Sequence, residues 1–136
     1  MRPMVKVTAR RRQGFTHDVE IQGGHHLVID EPEADGGSNA GPSPTRTVGA
    51  ALAACTAITT EMYADRKGWA IGPVEVDVDV TYRDYAPLSF AVTLRLPKDL
   101  SDEQRERLLG VARKCPVHKL IAGETEVVIS DEIEAL

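Results

Sequence analysis

The sequence predicts an α+β domain: antiparallel sheets packed on a long central cysteine-bearing helix and on a second, shorter helix. Three observations carry that expectation. Apolar residues alternate with polar ones in "THDVEIQ" (16–22), "VEVDVDVTY" (74–82) and "LSFAVTLRL" (88–96), the period of half-buried strands. Between the first and second of these, apolar residues recur every three or four positions from Val48 to Met62, the period of a helix. Ser101 followed by Gln104 is a capping-box pattern that opens another helix.

Taken in order, "MVKVTARR" (4–11) alternates weakly, "THDVEIQ" more clearly, and "HHLVID" (25–30) is apolar at its centre. Gln13-Gly14 and Gly23-Gly24 separate the three as hairpin turns. "EPEADGGSNAGPSP" (31–44) reads as a loop. Ser43 then caps a helix whose first residue is Pro44 and which runs to Lys67 before a terminating Gly68. Its expected inner face carries Val48, Leu52, Cys55, Thr59 and Met62, and its many alanines imply close approach to another backbone. The strand at 74–82 turns Val74, Val76, Val78, Val80 and Tyr82 one way and Glu75, Asp77, Asp79 and Thr81 the other, an acidic ladder read as a solvated sheet face. The strand at 88–96 is its antiparallel partner. "DEQRERLLGVARK" is the second helix, broken at Cys115-Pro116 because a residue before proline avoids the α region. "VHKLIAG" gives a short further turn, and "TEVVIS" (125–130) a last strand.

At 136 residues the chain is read as one domain, 1–136, of ordinary globular composition. A net charge of -5 opposes general nucleic-acid binding, which needs a basic surface. Arg10-Arg11-Arg12 is a solvated hairpin end rather than a phosphate patch. "MRPMVKVTARRR" has no apolar signal region and no stretch is long enough to span a membrane, so a cytoplasmic location without membrane partners is expected. In that compartment two cysteines are more often catalytic or redox-sensing than a structural bridge.

The chemistry concentrates on those cysteines. Cys115 precedes Pro116 at the N-cap of a short turn, where the helix dipole favours a thiolate, with Arg113, Lys114, His118 and Lys119 nearby. Cys55 lies about three turns inside its helix, beyond the reach of the dipole, and an apolar setting raises a thiol's pKa. Local physics therefore ranks Cys115 above Cys55. The other constellations are thin. His25 and His26 point to opposite faces of a strand. Cys115-x-x-His118 is half a metal site. "DGGSNAGPSP" lacks the Lys-Ser/Thr of a phosphate loop, and no nucleophile elbow is present.

The stretches "DEPEADGGSNAGPSP" (30–44), "VGAALAACTAITTEMYADRKGW" (48–69) and "LLGVARKCPVHKLI" (108–121) give the chain its resemblance to the OsmC/Ohr family, the osmotically induced and organic hydroperoxide resistance proteins. The "CTA" helix with "YADRKGW" is similar to the general OsmC-like branch. The resemblance implies a thiol peroxidase working as an intertwined homodimer with sites at the subunit interface and with no metal or organic cofactor. On matching positions it makes Cys55 the peroxidatic cysteine and Cys115 the resolving one, with an organic hydroperoxide as substrate. It implies an external dithiol, such as a lipoylated protein, as reductant. It reverses the local ranking of the thiols, and so requires a cation near Cys55. In the family an arginine of the N-terminal hairpin supplies it, held by a glutamate nine or ten residues before the cysteine. Arg10, Arg11 and Arg12 are the candidates here, and Arg12, nearest the turn, is the one chosen; Thr45 and Arg46 stand where the glutamate would be. Either Arg46 activates Cys55 directly or the protein is a redox-sensing or small-molecule-binding dimer with little turnover.

Overall fold

The structure is a computed structural model and describes residues 4–136. The chain divides into two compact units. One joins the residues up to Ala50 with Val80–Ser89, and the other joins Ala51–Asp79 with Phe90–Leu136.

The first unit is built on a three-stranded antiparallel sheet, β1 (Val7–Gln13), β2 (Thr16–Ile21) and β3 (His25–Ile29), in the order β1-β2-β3. Gly14 closes the first turn with φ 53°, and Gly23 and Gly24 close the second with φ 112° and 90°, values that L side chains resist. The register places Ala9 opposite Val19, Arg11 opposite His17, and His17 opposite Ile29. Paired residues share a face, so Ala9, Arg11, His17, Val19 and Ile29 lie on one side and Arg10, Asp18 and Val28 on the other. The pairing slips between Arg11 and Gln13, which leaves Arg12 as the extra residue of a bulge.

After β3 the buried Asp30 organises the glycine-rich loop. Its carboxylate accepts hydrogen bonds from the Thr16 hydroxyl (2.7 Å) and from the backbone N–H groups of Glu31 (2.7 Å), Ala40 (3.1 Å) and Ser38 (3.3 Å). The loop folds back so closely that a Cβ on Gly41 would stand 2.1 Å from the Val28 carbonyl oxygen. The reading of 31–44 as pure loop missed one 3₁₀ turn at Glu33–Asp35.

Helix α1 spans Pro44–Lys67, with the boundaries expected from its end signals. Ser43 Oγ accepts the Arg46 N–H at 3.4 Å, and Gly68 terminates the helix in the left-handed region at φ 71°. Strands β4 (Glu75–Arg83) and β5 (Ala86–Arg95) form the second sheet, turning at Asp84 with φ 54°. Even positions 76–82 are half-buried and odd ones exposed, as alternation predicts. The acidic ladder meets a cation from the neighbouring strand: Arg95 donates to both Glu75 and Asp77.

In the second unit α2 (Asp102–Ala112) begins with the full Ser101/Gln104 capping box. It ends three residues before Cys115, through Arg113 at its C-cap, rather than at the Cys115-Pro116 step. Helix α3 (Pro116–Ile121) follows with Cys115 as its N-cap. Leu108 packs with Ala64 and Ile71 at the centre of the core, ringed by Tyr63, Trp69, Val74, Leu96 and Leu100.

Two expectations are corrected here. The inner face of α1 is Leu52, Thr56, Thr60 and Ala64, all at 2% exposure or less, whereas Val48, Ile58 and Met62 are 41–56% exposed. Threonine can hide its hydroxyl by donating to the carbonyl one turn back, as Thr56 does to Leu52 and Thr60 to Thr56 at 2.8 Å each, so an apolar count misplaces the face. The second correction is the strand at 125–130. These residues pair with no strand among the described residues, and Val128 and Ile129 stand 87% and 82% exposed. A β-strand exists only where a neighbour accepts its hydrogen bonds.

Candidate functional site: a dithiol pair

Cys115 sits where a helix begins after a forced break. Pro116 fixes the first residue of α3, and the extended Cys115 (φ −64°, ψ 147°) turns its sulfur back over the first turn. There Sγ accepts the His118 N–H at 3.3 Å, while the Cys115 N–H is already spent on the Ala112 carbonyl at 3.2 Å. The side chain is fully buried. Thr56 Oγ1 lies 3.9 Å from Sγ.

Cys55 occupies the position before Thr56 on α1, half-buried, and both cysteines are free thiols. Burial pushes the Cys115 thiol above its ordinary pKa. The Cys55 sulfur pushes the same way, and the His118 N–H and the Thr56 hydroxyl pull only partly against them. The expectation of a thiolate held by the dipole of α3 is thereby overturned. A single-turn helix offers a small field, and loss of solvation outweighs it.

Cys55 and Cys115 both belong to the second unit; Arg12 and Arg46 belong to the first. Arg12 is engaged side-on with Asp18. Its Nε donates to Oδ2 at 3.1 Å and its Nη2 to Oδ1, an oxygen that His26 Nε2 also meets at 2.8 Å. The Arg12 guanidinium, with His26 behind it, lowers Asp18 to about 2. Arg10 bonds Glu20 at 3.4 Å. Arg11 alone of the three lies on the apolar face, and no ion pair involves it among the described residues. Arg46 lines a cavity of about 370 Å³ with Pro44 and Tyr82, beside the 2.9 Å contact of the Thr45 hydroxyl with Tyr82 Oη. Nine residues along one helix amount to about 13.5 Å and two and a half turns, so Arg46 and Cys55 leave α1 on opposite sides.

Sequence reasoning missed Thr56, which was legible as a member of the 52–56–60–64 step. No set of three or more His, Cys, Asp or Glu residues that could hold a metal ion occurs among the described residues, and no helix there is long and apolar enough to cross a membrane.

The fold is α+β, and one of its two units carries both free thiols. The chain belongs to the OsmC-like protein family, whose model matches residues 36–130. Among solved structures it is similar to an OsmC-like protein from Mycoplasma pneumoniae, with a TM-score of 0.76 at 17% identity over 90% of each chain. It is also similar to the organic hydroperoxide resistance protein OhrB of Bacillus subtilis, with a TM-score of 0.55 at 26% identity over 88% of this chain and 91% of that one. An organic hydroperoxide resistance protein of Legionella pneumophila gives 0.62 at 22% identity over 87% and 90%. No curated protein matches the sequence.

Proposed function

We propose that the protein is a cysteine-based peroxidase that reduces organic hydroperoxides to alcohols. The observation that carries the reading is a pair of free thiols in one compact unit, a half-buried Cys55 and a fully buried Cys115 whose pKa Cys55 helps to raise. In this reading the more accessible sulfur meets the substrate and the buried one resolves it. The Cys55 thiolate attacks the outer peroxide oxygen, the O–O bond breaks, and the alkoxide takes a proton to leave as an alcohol. Cys115 then condenses with the Cys55 sulfenic acid, releasing water and forming a disulfide. An external dithiol, such as a lipoylated protein in a reducing cytoplasm, restores both thiols. Neither metal nor organic cofactor takes part. The names of the Bacillus subtilis and Legionella pneumophila proteins support hydroperoxides as the substrate class.

The protein acts as a homodimer in this reading. Ile58, Met62, Val128, Ile129 and Ile133 are each at least half exposed in the single chain, and a second copy is the partner that would cover them. The family resemblance implies a hairpin arginine as the cation for Cys55; among the described residues Arg11 has no carboxylate partner, whereas Arg12 is bound to Asp18. A redox-sensing dimer with little turnover is the second reading, favoured by Thr45 and Arg46 where the family resemblance leads to a glutamate.

Intact mass after one equivalent of cumene hydroperoxide separates these. The expected result is a loss of about 2 Da in the wild type, a gain of about 16 Da in Cys115→Ser, and no change in Cys55→Ser. Interchanged results for the two variants would make Cys115 the attacking thiol. No change in any of them would end the peroxidase reading, and oxidation that no added dithiol reverses would leave the sensor.

A further inference from the structure

We propose that the Thr56 hydroxyl is a switchable donor, turning from the Leu52 carbonyl to the Cys115 sulfur when that thiol ionises; the need for it rests on Cys115 being the resolving thiol. Thr56 and Cys115 belong to the same unit and are both buried, at 1% and 0% exposure. The Thr56 hydroxyl oxygen stands 2.8 Å from the Leu52 carbonyl oxygen and 3.9 Å from Cys115 Sγ. It carries one proton, so rotation about the Cβ–Oγ1 bond chooses between the two acceptors. A second donor already meets this sulfur, the His118 backbone N–H at 3.3 Å.

Charge decides the choice. A neutral thiol is a weak acceptor, so the hydroxyl stays on the Leu52 carbonyl. A thiolate makes a charge-assisted bond, roughly twice as strong as a neutral one, and draws the hydroxyl proton over. Little is lost at Leu52, because its carbonyl keeps the backbone N–H of Thr56, the ordinary bond of the helix. In the resolving step the Cys115 thiolate attacks the sulfur of the Cys55 sulfenic acid; the S–S bond forms and the S–O bond breaks. The proton lost by Cys115 ends on the departing hydroxide, so thiol and sulfenic acid become disulfide and water. Burial opposes the thiolate that starts this step, and a donor that strengthens only on ionisation offsets part of that cost. From α1 the titratable group acting on this sulfur is Cys55; Arg113, Lys114, His118 and Lys119 flank it in its own segment. Thr60 marks the contrast. It lies one turn further along α1, is as buried as Thr56, and donates to the Thr56 carbonyl at 2.8 Å, but no hydrogen bond joins it to a sulfur among the described residues.

The test titrates Cys115 as the one remaining thiol, in reduced, full-length Cys55→Ser protein, by the ultraviolet absorbance of the thiolate; near-ultraviolet circular dichroism on the same samples confirms that the fold is kept. In that parent, Thr56→Val keeps the branched shape and removes the hydroxyl. The expected result is a midpoint moved to higher pH, with about tenfold less thiolate at any pH well below it. Thr56→Ser, which keeps a hydroxyl, restores the parent midpoint. Thr60→Val, which removes a buried hydroxyl that bonds no sulfur, leaves the midpoint in place. Thr56→Ala, with the same expectation as Thr56→Val, guards against one variant failing to fold. A Thr56→Val midpoint equal to the parent's overturns the proposal. So does Thr56→Ser titrating with Thr56→Val, and so does an equal upward move in Thr60→Val, which would make the effect one of lost polarity along α1. The titration involves neither peroxide nor Cys55, so it stands apart from the peroxidase reading. A raised midpoint in Thr56→Val, with no loss of about 2 Da when the wild type meets hydroperoxide, supports the donor and removes the resolving role.

Discussion

Leu108 ties the core of the second unit to the thiol that follows it. It is fully buried, its cluster includes Ala64 and Ile71, and seven residues further on the same chain segment carries Cys115. Leu108→Ala removes three carbons from a site walled by Tyr63, Trp69, Val74, Leu96 and Leu100, large side chains that cannot all move in to fill the space. Cavities of this kind cost about 2–5 kcal/mol. For a chain of this size each kcal/mol lowers the melting temperature by about 3–5 °C, so a fall of roughly 6–25 °C is expected. The same loss has a chemical readout. Cys115 has no exposed surface, so a bulky thiol reagent reaches it only when the structure opens. In a Cys55→Ser background, where Cys115 is the one remaining thiol, a loss of about 3 kcal/mol speeds labelling by about 10²-fold if the opening involves the whole unit. Calorimetry and timed labelling measure the two effects on the same sample. A melting temperature within about 2 °C of the parent would refute the cavity argument. A large fall in melting temperature with unchanged labelling would show that Cys115 opens independently of the core.

Two further outcomes follow from the first unit. Burial alone would raise Asp30, but the Thr16 hydroxyl and three backbone N–H groups outweigh it and hold its carboxyl below the ordinary value, so the stabilisation is present above the unfolded pKa of about 3.9 and is lost as pH falls through the lower folded one. Asp30→Asn should melt below wild type at pH 7, with the gap closing under acid; thermal melts from pH 7 to 2.5 that keep a constant gap would show that charge plays no part. For the hairpin, Arg11→Gln should slow the reaction of Cys55 with cumene hydroperoxide by at least about tenfold, and Arg12→Gln by less than about threefold; stopped-flow rates in the opposite order would return the role to Arg12 and to a rearrangement away from Asp18.

Much of this protein was legible because it is local. Ser43-Pro44 and Gly68 bound α1 by conformational preferences that need no distant partner, and Ser101 with Gln104 opens α2 by bonds within one turn. The alternation of β4 survives into the structure because a strand pointing one face inward has only two sides. The family was legible too, since the three motif stretches are contiguous in sequence, and the match over residues 36–130 takes in most of them. What sequence could not decide involved a choice among partners. Leu52, Thr56, Thr60 and Ala64 face inward because of what packs on α1, and threonine's ability to satisfy its own hydroxyl hid that face from an apolar count. The segment 125–130 has the composition of a strand and no neighbour among the described residues to make it one. Among three consecutive arginines, only the cross-strand register and the bulge separate Arg11 from two neighbours bound to carboxylates. The thiols show the division most plainly. The sequence by itself determined that Cys115 caps a helix, because Pro116 dictates where α3 starts. Only the tertiary structure decided that this sulfur is buried, with the Thr56 hydroxyl beside it. Desolvation then raises the thiol that the helix terminus alone would have ionised, because the free energy of a charge depends on everything around it and not on its own segment.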